Sequence, residues 1–423
     1  MTDVRIRMGA LIALLTLTIV ACGGVEPPFP EIGGPADRDG LSSWRRFAID
    51  RVLDYRVSRQ GASGYVVLIA REGRVVYART TGLADREAGT PMALDTRFHL
   101  ASMSKAITAV AALILIEEGQ LGLEDPIARY LPAFEAPQVV VARDPDGGFD
   151  TEALDQPILV RHLLTFTSGI GGYAETDDPL DRLWRSPDIE IAGLGSLADR
   201  IEQVASRPLY ERPGVRWRYG WSADTLARVV EVAAGESFDR FLRARIFAPL
   251  GMHATGFPDD VPFDVPFARM YTHDEDGDLV RDPQFDDYYG RGWTPGGGGM
   301  VGTGPDYLRF AMMLANGGVL DDVRILREET VADMRRLHVP EGVLADMGIE
   351  GLGWGLGVCV VSDDTKTIMP ATNGDYWWSG RFGTQFWVSP EKDAVVVVMQ
   401  QTERGEHSDL PWASAVVQTL GMP

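Results

Sequence analysis

The sequence predicts a mixed α/β (α+β) protein: an antiparallel sheet flanked by helices, joined to a second, mostly helical lobe. Three observations carry this reading. Residues 64–70 and 75–78 are apolar, β-branched runs joined by Arg71-Glu72-Gly73-Arg74, the pattern of a hairpin and so of antiparallel pairing. Strand-like runs return near the end, at 355–361, 384–388 and 394–399, and the turn Ser389-Pro390-Glu391-Lys392-Asp393 joins the last two. Between these sets, from 125 to about 290, helical runs are broken by many Pro, Gly and Asp residues. The sheet lobe therefore takes residues 41–124 and 291–423, and the helical lobe 125–290, of one domain spanning 41–423.

The first 22 residues read as a processing segment, with Arg5 and Arg7 ahead of an apolar run from Met8 to Val20. Ile19-Val20-Ala21-Cys22 resembles the lipobox of bacterial lipoproteins, in which the cysteine becomes the lipidated N-terminus. The expectation is an exported protein tethered to the cell envelope through lipid on Cys22, with the Gly- and Pro-rich stretch 23–40 as a flexible tether. The other cysteine, Cys359, lies in an apolar run and reads as core, so no disulfide framework is available. A formal net charge of −21 repels nucleic acid and anionic membrane surfaces, which excludes both as electrostatic partners.

Taken in order, residues 41–57 place Leu41, Trp44, Phe47, Ala48, Val52 and Leu53 at helical spacing and read as a helix packed on one face. The hairpin follows, and then the stretch that organises the chain, Phe98-His99-Leu100-Ala101-Ser102-Met103-Ser104-Lys105. The eleven residues after it are apolar on nearly every face, which suits a core helix and falls short of the roughly 20 residues of a membrane span. Residues three apart on a helix share a face, so Ser102 and Lys105 present a hydroxyl and an amine to one cleft. The chain has 37 arginines, 17 serines and only three lysines, so chance supplies about 0.1 Ser-x-x-Lys pairs. Arginine cannot replace such a lysine, because a guanidinium stays protonated whereas a desolvated amine can act as a base.

In the helical lobe, 158–169 reads as a helix with a tight exit and 223–234 as an amphipathic helix. Asp144-Pro145-Asp146-Gly147-Gly148 and Asp274-Glu275-Asp276-Gly277-Asp278 read as hairpin tips. The second has alternating aspartates but no glutamate closing a twelve-residue calcium loop. Gly296-Gly297-Gly298-Gly299 returns the chain to the sheet lobe; no lysine follows in a phosphate-binding pattern, so it reads as close packing beside the site, leading to a helix over 307–315. A closing helix is expected over 411–420. Six scattered histidines show no metal-ligand spacing, and no Gly-x-Ser-x-Gly elbow occurs. Neither a metal nor any other cofactor is expected.

Ser102-Met103-Ser104-Lys105, Tyr219-Gly220-Trp221 and Trp378-Ser379-Gly380 resemble, in order, the three motifs of penicillin-recognising serine hydrolases, and most nearly those of class C β-lactamases and related carboxylesterases. Leu163-Leu164-Thr165-Phe166-Thr167-Ser168-Gly169 is similar to a further family segment, with Phe166 where a histidine is usual. The resemblance runs from about 41 to 420 and implies a β-lactamase/transpeptidase-like fold. It also implies roles. Ser102 becomes the acylated nucleophile, Lys105 and Tyr219 share general-base work, and the backbone N–H groups of Ser102 and Arg381 form the oxyanion hole. Trp221, Trp378, Ser379, Gly380 and Arg381 would line the substrate cleft. Trp221 stands where β-lactamases and peptidases commonly carry asparagine, and Trp378 where they carry lysine, which points to small esters ahead of amides. Arg381, where the family usually has a small residue, offers a carboxylate contact. The competing readings are a β-lactamase or D-amino-acid peptidase of the same fold, and a non-catalytic penicillin- or peptidoglycan-binding protein. Retention of Ser102, Lys105 and Tyr219 favours an enzyme.

Overall fold

The computed structural model describes residues 40–143, 148–172, 178–184, 195–259, 267–283, 292–339, 344, 350–367, 370–403 and 410–422. The processing segment with Cys22, nearly all of the tether, and the turn residues 144–147 lie outside them.

Helix α1 (Ser43–Ser58) leads into the hairpin β1 (Gly64–Arg71) and β2 (Arg74–Asp85), with β3 (Thr90–Pro91) on its edge. β2 runs past the apolar stretch at 75–78 because its polar half pairs with α1. Arg79 forms ion pairs with Asp50 and Asp54, and Thr81 donates to Asp54 at 3.0 Å. After β4 (Arg97–His99) comes helix α2 (Ser104–Glu117), buried along nearly all of its length.

The middle of the chain is mostly helical. It holds the hairpin β5 (Gln138–Arg143) and β6 (Phe149–Ala153), then α3 (Val160–Leu164), α4 (Pro179–Trp184), α5 (Leu197–Ala205), α6 (Ser222–Ala234) and α7 (Phe238–Leu242). The acidic tip at 274–278 joins β7 (Tyr271–His273) to β8 (Leu279–Arg281), and Asp274 Oδ1 accepts from the backbone N–H groups of Asp276 and Asp278. β9 (Val301–Thr303) then pairs antiparallel with β4 and leads into α8 (Gly304–Ala315).

The small hairpin β10 (Val319–Leu320) and β11 (Val323–Arg324) and helix α9 (Glu328–Met334) precede the last strands. These are β12 (Leu352–Trp354), β13 (Cys359–Val361), β14 (Tyr376–Ser379), β15 (Gln385–Ser389) and β16 (Ala394–Met399), and helix α10 (Leu410–Gly421) closes the chain. The principal sheet has the order β12-β13-β14-β15-β16-β1-β2-β3 and is antiparallel throughout. Its N- and C-terminal parts join where Leu68 faces Val397 and Ile69 faces Val396.

β1 and β16 are buried at almost every position, as strands covered on both faces must be. On one face α8 brings Gly304 against Val66, Leu68 and Met399; on the other, Gly421 of α10 lies against Ile69, and α1 packs on α10 and β2. The antiparallel sheet flanked by helices is thus the architecture that forms. α2 packs on α6, so the helix that begins just after Ser102 also holds the helical part to the sheet.

Two segments differ from their sequence reading. The helix expected over 158–169 stops at Leu164, because Phe166 takes a positive φ of 55° and the Thr165 and Thr167 hydroxyls bond each other at 2.8 Å. The strand expected over 355–361 is a turn followed by the short β13, with the Gly355 N–H donating to Val358 O at 2.9 Å. Gly357 sits at φ 83°, and a Cβ there would lie 2.4 Å from the Ala109 Cβ on α2. Gly357→Ala combines a backbone conformation unfavourable to L-residues with a clash in a packed core, and is expected to cost about 2 kcal/mol or more of stability, read by chemical denaturation.

Candidate active site

Ser102 lies in a single 3-10 turn, Ala101–Met103, between β4 and α2. Ala101 has φ 48°, a left-handed conformation uncommon for a residue with a Cβ. The turn is pinned from two sides: the Leu100 N–H donates to Met300 O at 2.9 Å, and Leu100 O accepts from the Thr384 hydroxyl at 3.0 Å. Gly380 presses on the same turn. A Cβ there would sit 2.5 Å from Leu100 O and 3.2 Å from the Ala101 Cβ, which explains why the chain carries glycine just before Arg381.

Lys105, in the first turn of α2, is only 2% exposed. Its Nζ donates to Ser102 Oγ at 3.0 Å and to the carbonyl of Gly297, and it stands 4.6 Å from the centre of the Tyr219 ring. Trp378 Nε1 donates to Tyr219 Oη at 3.2 Å. Residues 102, 105, 219 and 378, from three separate stretches of sequence, are therefore drawn into one constellation. It comprises a hydroxyl, an amine, a phenol, and a neutral N–H donor directed at the phenol oxygen.

An aromatic wall holds the phenol. Tyr219 stacks on Phe166 at 5.5 Å and on Trp217 at 5.7 Å, while Trp378 meets Trp354 edge to face at 4.7 Å. Trp354 is fixed in turn by its Nε1, which donates to Leu164 O at 3.2 Å. Phe166, noted in the sequence only as standing where a histidine is usual, is thus a direct neighbour of Tyr219.

The remaining expected cleft residues divide. Ser379 ends β14 opposite Gln385, and the Gly380 N–H donates to Thr384 O at 2.7 Å, which places both beside the Ser102 turn. Trp221 precedes α6 and is buried, with its ring 6.3 Å from that of Trp293. Arg381 donates from Nε to Glu403 at 2.9 Å and from Nη2 to the same oxygen, so its guanidinium is engaged by a carboxylate of the chain itself.

Sequence reasoning missed Asp224. It is 1% exposed, in the first turn of α6, and its Oδ1 accepts the Gly297 N–H at 2.9 Å. A Cβ on Gly297 would lie 2.4 Å from Oδ2, and this oxygen has no polar partner among the described residues. Asp224 thus clamps the residue whose carbonyl receives Lys105. Burial pushes its carboxyl above the usual range, with the nearby Lys105 charge opposing the shift. The one signal available in the sequence was an acidic residue in the first turn of a helix that opens just after Tyr219-Gly220-Trp221.

A carboxyl raised in the folded state holds its proton to higher pH than in the unfolded chain, so ionising it costs stability as pH rises above the ordinary carboxylate range of about 4. Asp224→Asn keeps an acceptor for Gly297 and removes that charge. Its stability relative to the parent protein is expected to improve from pH 4 towards neutral, as measured by denaturation at several pH values.

The antiparallel sheet and its flanking helices form a β-lactamase/transpeptidase-like architecture. A family model, Beta-lactamase, matches residues 49–420, and the chain belongs to that family. It is 33% identical to esterase EstB of Burkholderia gladioli over 374 residues, covering 84% of this chain and 90% of EstB. Among solved structures it is similar to EstCE1, a hydrolase with promiscuous acyltransferase activity, at TM-score 0.75 and 29% identity over 88% of this chain and 98% of that one. The simvastatin synthase LovD of Aspergillus terreus shares the fold at TM-score 0.76 and 20% identity, covering 90% of this chain and 98% of its own.

Proposed function

We propose that the protein is an esterase that works through an acyl-enzyme on Ser102. The observation that carries the reading is the bond between Lys105 Nζ and Ser102 Oγ at 3.0 Å, in a site where Trp378 donates to the oxygen of the adjoining Tyr219. The Ser102 proton passes to the Lys105–Tyr219 pair as Oγ attacks the ester carbonyl, and the N–H groups of Ser102 and Arg381 receive the developing oxyanion. Collapse expels the alcohol, which takes up the proton. Water then attacks the acyl-Ser102 ester, gives its proton to the same pair, and releases the acid as Oγ regains a proton.

Ester preference rests on what surrounds this machinery. An indole N–H occupies the place where a β-lactamase commonly has a lysine, and it offers one neutral bond, already directed to Tyr219. Trp378, backed by the buried rings of Trp354, Trp217 and Phe166, suits an acyl or aryl group better than an amide side chain. The esterase relative EstB supports the same reading. We further propose that lipid on Cys22 holds the enzyme to the envelope; Cys22→Ser is expected to release it from the membrane fraction.

Purified protein is expected to turn over short aryl esters with a kcat/KM well above that for a chromogenic cephalosporin; the reverse order would refute the esterase assignment. Ser102→Ala should abolish turnover and fluorophosphonate labelling, and Lys105→Arg should lower kcat by about 10²-fold or more, since general-base contributions run to 10²–10⁴. Trp378→Phe keeps a ring for the wall and removes the bond to Tyr219, with an expected loss of about fivefold in kcat, the scale of one hydrogen bond of about 1 kcal/mol.

A further inference from the structure

We infer that Glu403 is a specificity determinant that sets this site for neutral esters and against anionic ones. The inference rests on the esterase reading and adds to it the charge class of the substrate. Arg381 directly follows Gly380, where an added Cβ would meet Leu100 O and the Ala101 Cβ beside Ser102. A guanidinium mounted there is the obvious receptor for a substrate carboxylate. Instead, one oxygen of Glu403 accepts from both Nε and Nη2 of Arg381.

The pair is built into the backbone. The Thr402 N–H donates to Phe382 O at 3.0 Å, so the segments carrying the two charges are bonded one residue away from each. The Glu403 N–H donates to Tyr271 O at 2.8 Å, and the neighbouring Gln401 Oε1 accepts the His99 N–H at 2.7 Å, next to the Ser102 turn. Glu403 is the more buried partner, with 17% of its side chain exposed against 42% for Arg381. The carboxylate is therefore fixed by its surroundings and the longer arginine comes to it. An incoming anion meets an arginine whose charge is already answered, and a carboxylate of its own sign close by. A neutral ester meets neither penalty. Lys105 and Asp224, the other charged groups beside Ser102, stay the same in every variant compared, so differences between variants report the Arg381–Glu403 pair.

The test uses two aryl esters matched in size, one with a free terminal carboxylate on the acyl chain and one with that carboxylate methylated. The readout is the ratio of their kcat/KM values in the parent protein, in Glu403→Gln, and in the double variant Glu403→Gln, Arg381→Gln. The parent is expected to prefer the neutral ester, and raising the salt should narrow that preference, because screening weakens the repulsion. Glu403→Gln should shift the ratio towards the anionic ester by about tenfold, since it frees a cation and removes a like charge. The double variant should lose the gain. An unchanged ratio in Glu403→Gln, or a gain that survives in the double variant, overturns the inference while leaving the esterase reading intact. Absence of Ser102-dependent turnover of both esters overturns the esterase reading, and this inference with it.

Discussion

The constraint on which the rest of the site depends is the burial of one amine. Lys105 is enclosed almost completely, and an ammonium or amine taken from water needs partners in fixed positions. The protein supplies a hydroxyl on the same helical face, a carbonyl from the glycine run and the face of an aromatic ring. Each of these comes from a different part of the chain, so enclosing Lys105 requires the helical part and the sheet to close on α2 together. The arrangement also explains the buried carboxylate of Asp224. It holds the peptide that Lys105 uses, and the nearby Lys105 charge offsets part of the burial penalty on its ionised form.

Much of this was legible in the sequence, for identifiable reasons. Ser102 and Lys105 are close in sequence, and their relation follows from helical periodicity alone. The hairpin at 64–78 and the strand at 394–399 announce themselves by β-branched runs around turn residues, and β1 and β16 read as near-continuous apolar runs because they are buried at almost every position. What escaped was set by contacts between distant residues. Asp224 meets Gly297, and Arg381 meets Glu403 across the end of β16, with no local pattern to reveal either pair. The turn at 355–358 was hidden because Gly355 and Gly357 sit in an apolar run, and the approach of Met334 O to the first and of Ala109 to the second shows why glycine is needed. The approach of the Trp221 ring to Trp293 is another such long-range contact.

The same distinction bears on how a shared framework acquires a different selectivity. The groups that would move the Ser102 proton are fixed by backbone features: the turn at Ala101, the carbonyl of Gly297 and the close approach of Gly380. Those features tolerate changes of side chain around them. At position 378 a tryptophan extends the aromatic wall and still donates to Tyr219, so one substitution removes a cation from the site while preserving a bond to the phenol oxygen. At Arg381 a cation is present, but Glu403 holds it. Both changes reduce the positive charge available to a substrate carboxylate without altering the position of Ser102 or Lys105. The proposed preference for neutral esters would thus arise from the side chains around Ser102 and Lys105, whose own positions are set by the backbone at Leu100, Gly297 and Gly380.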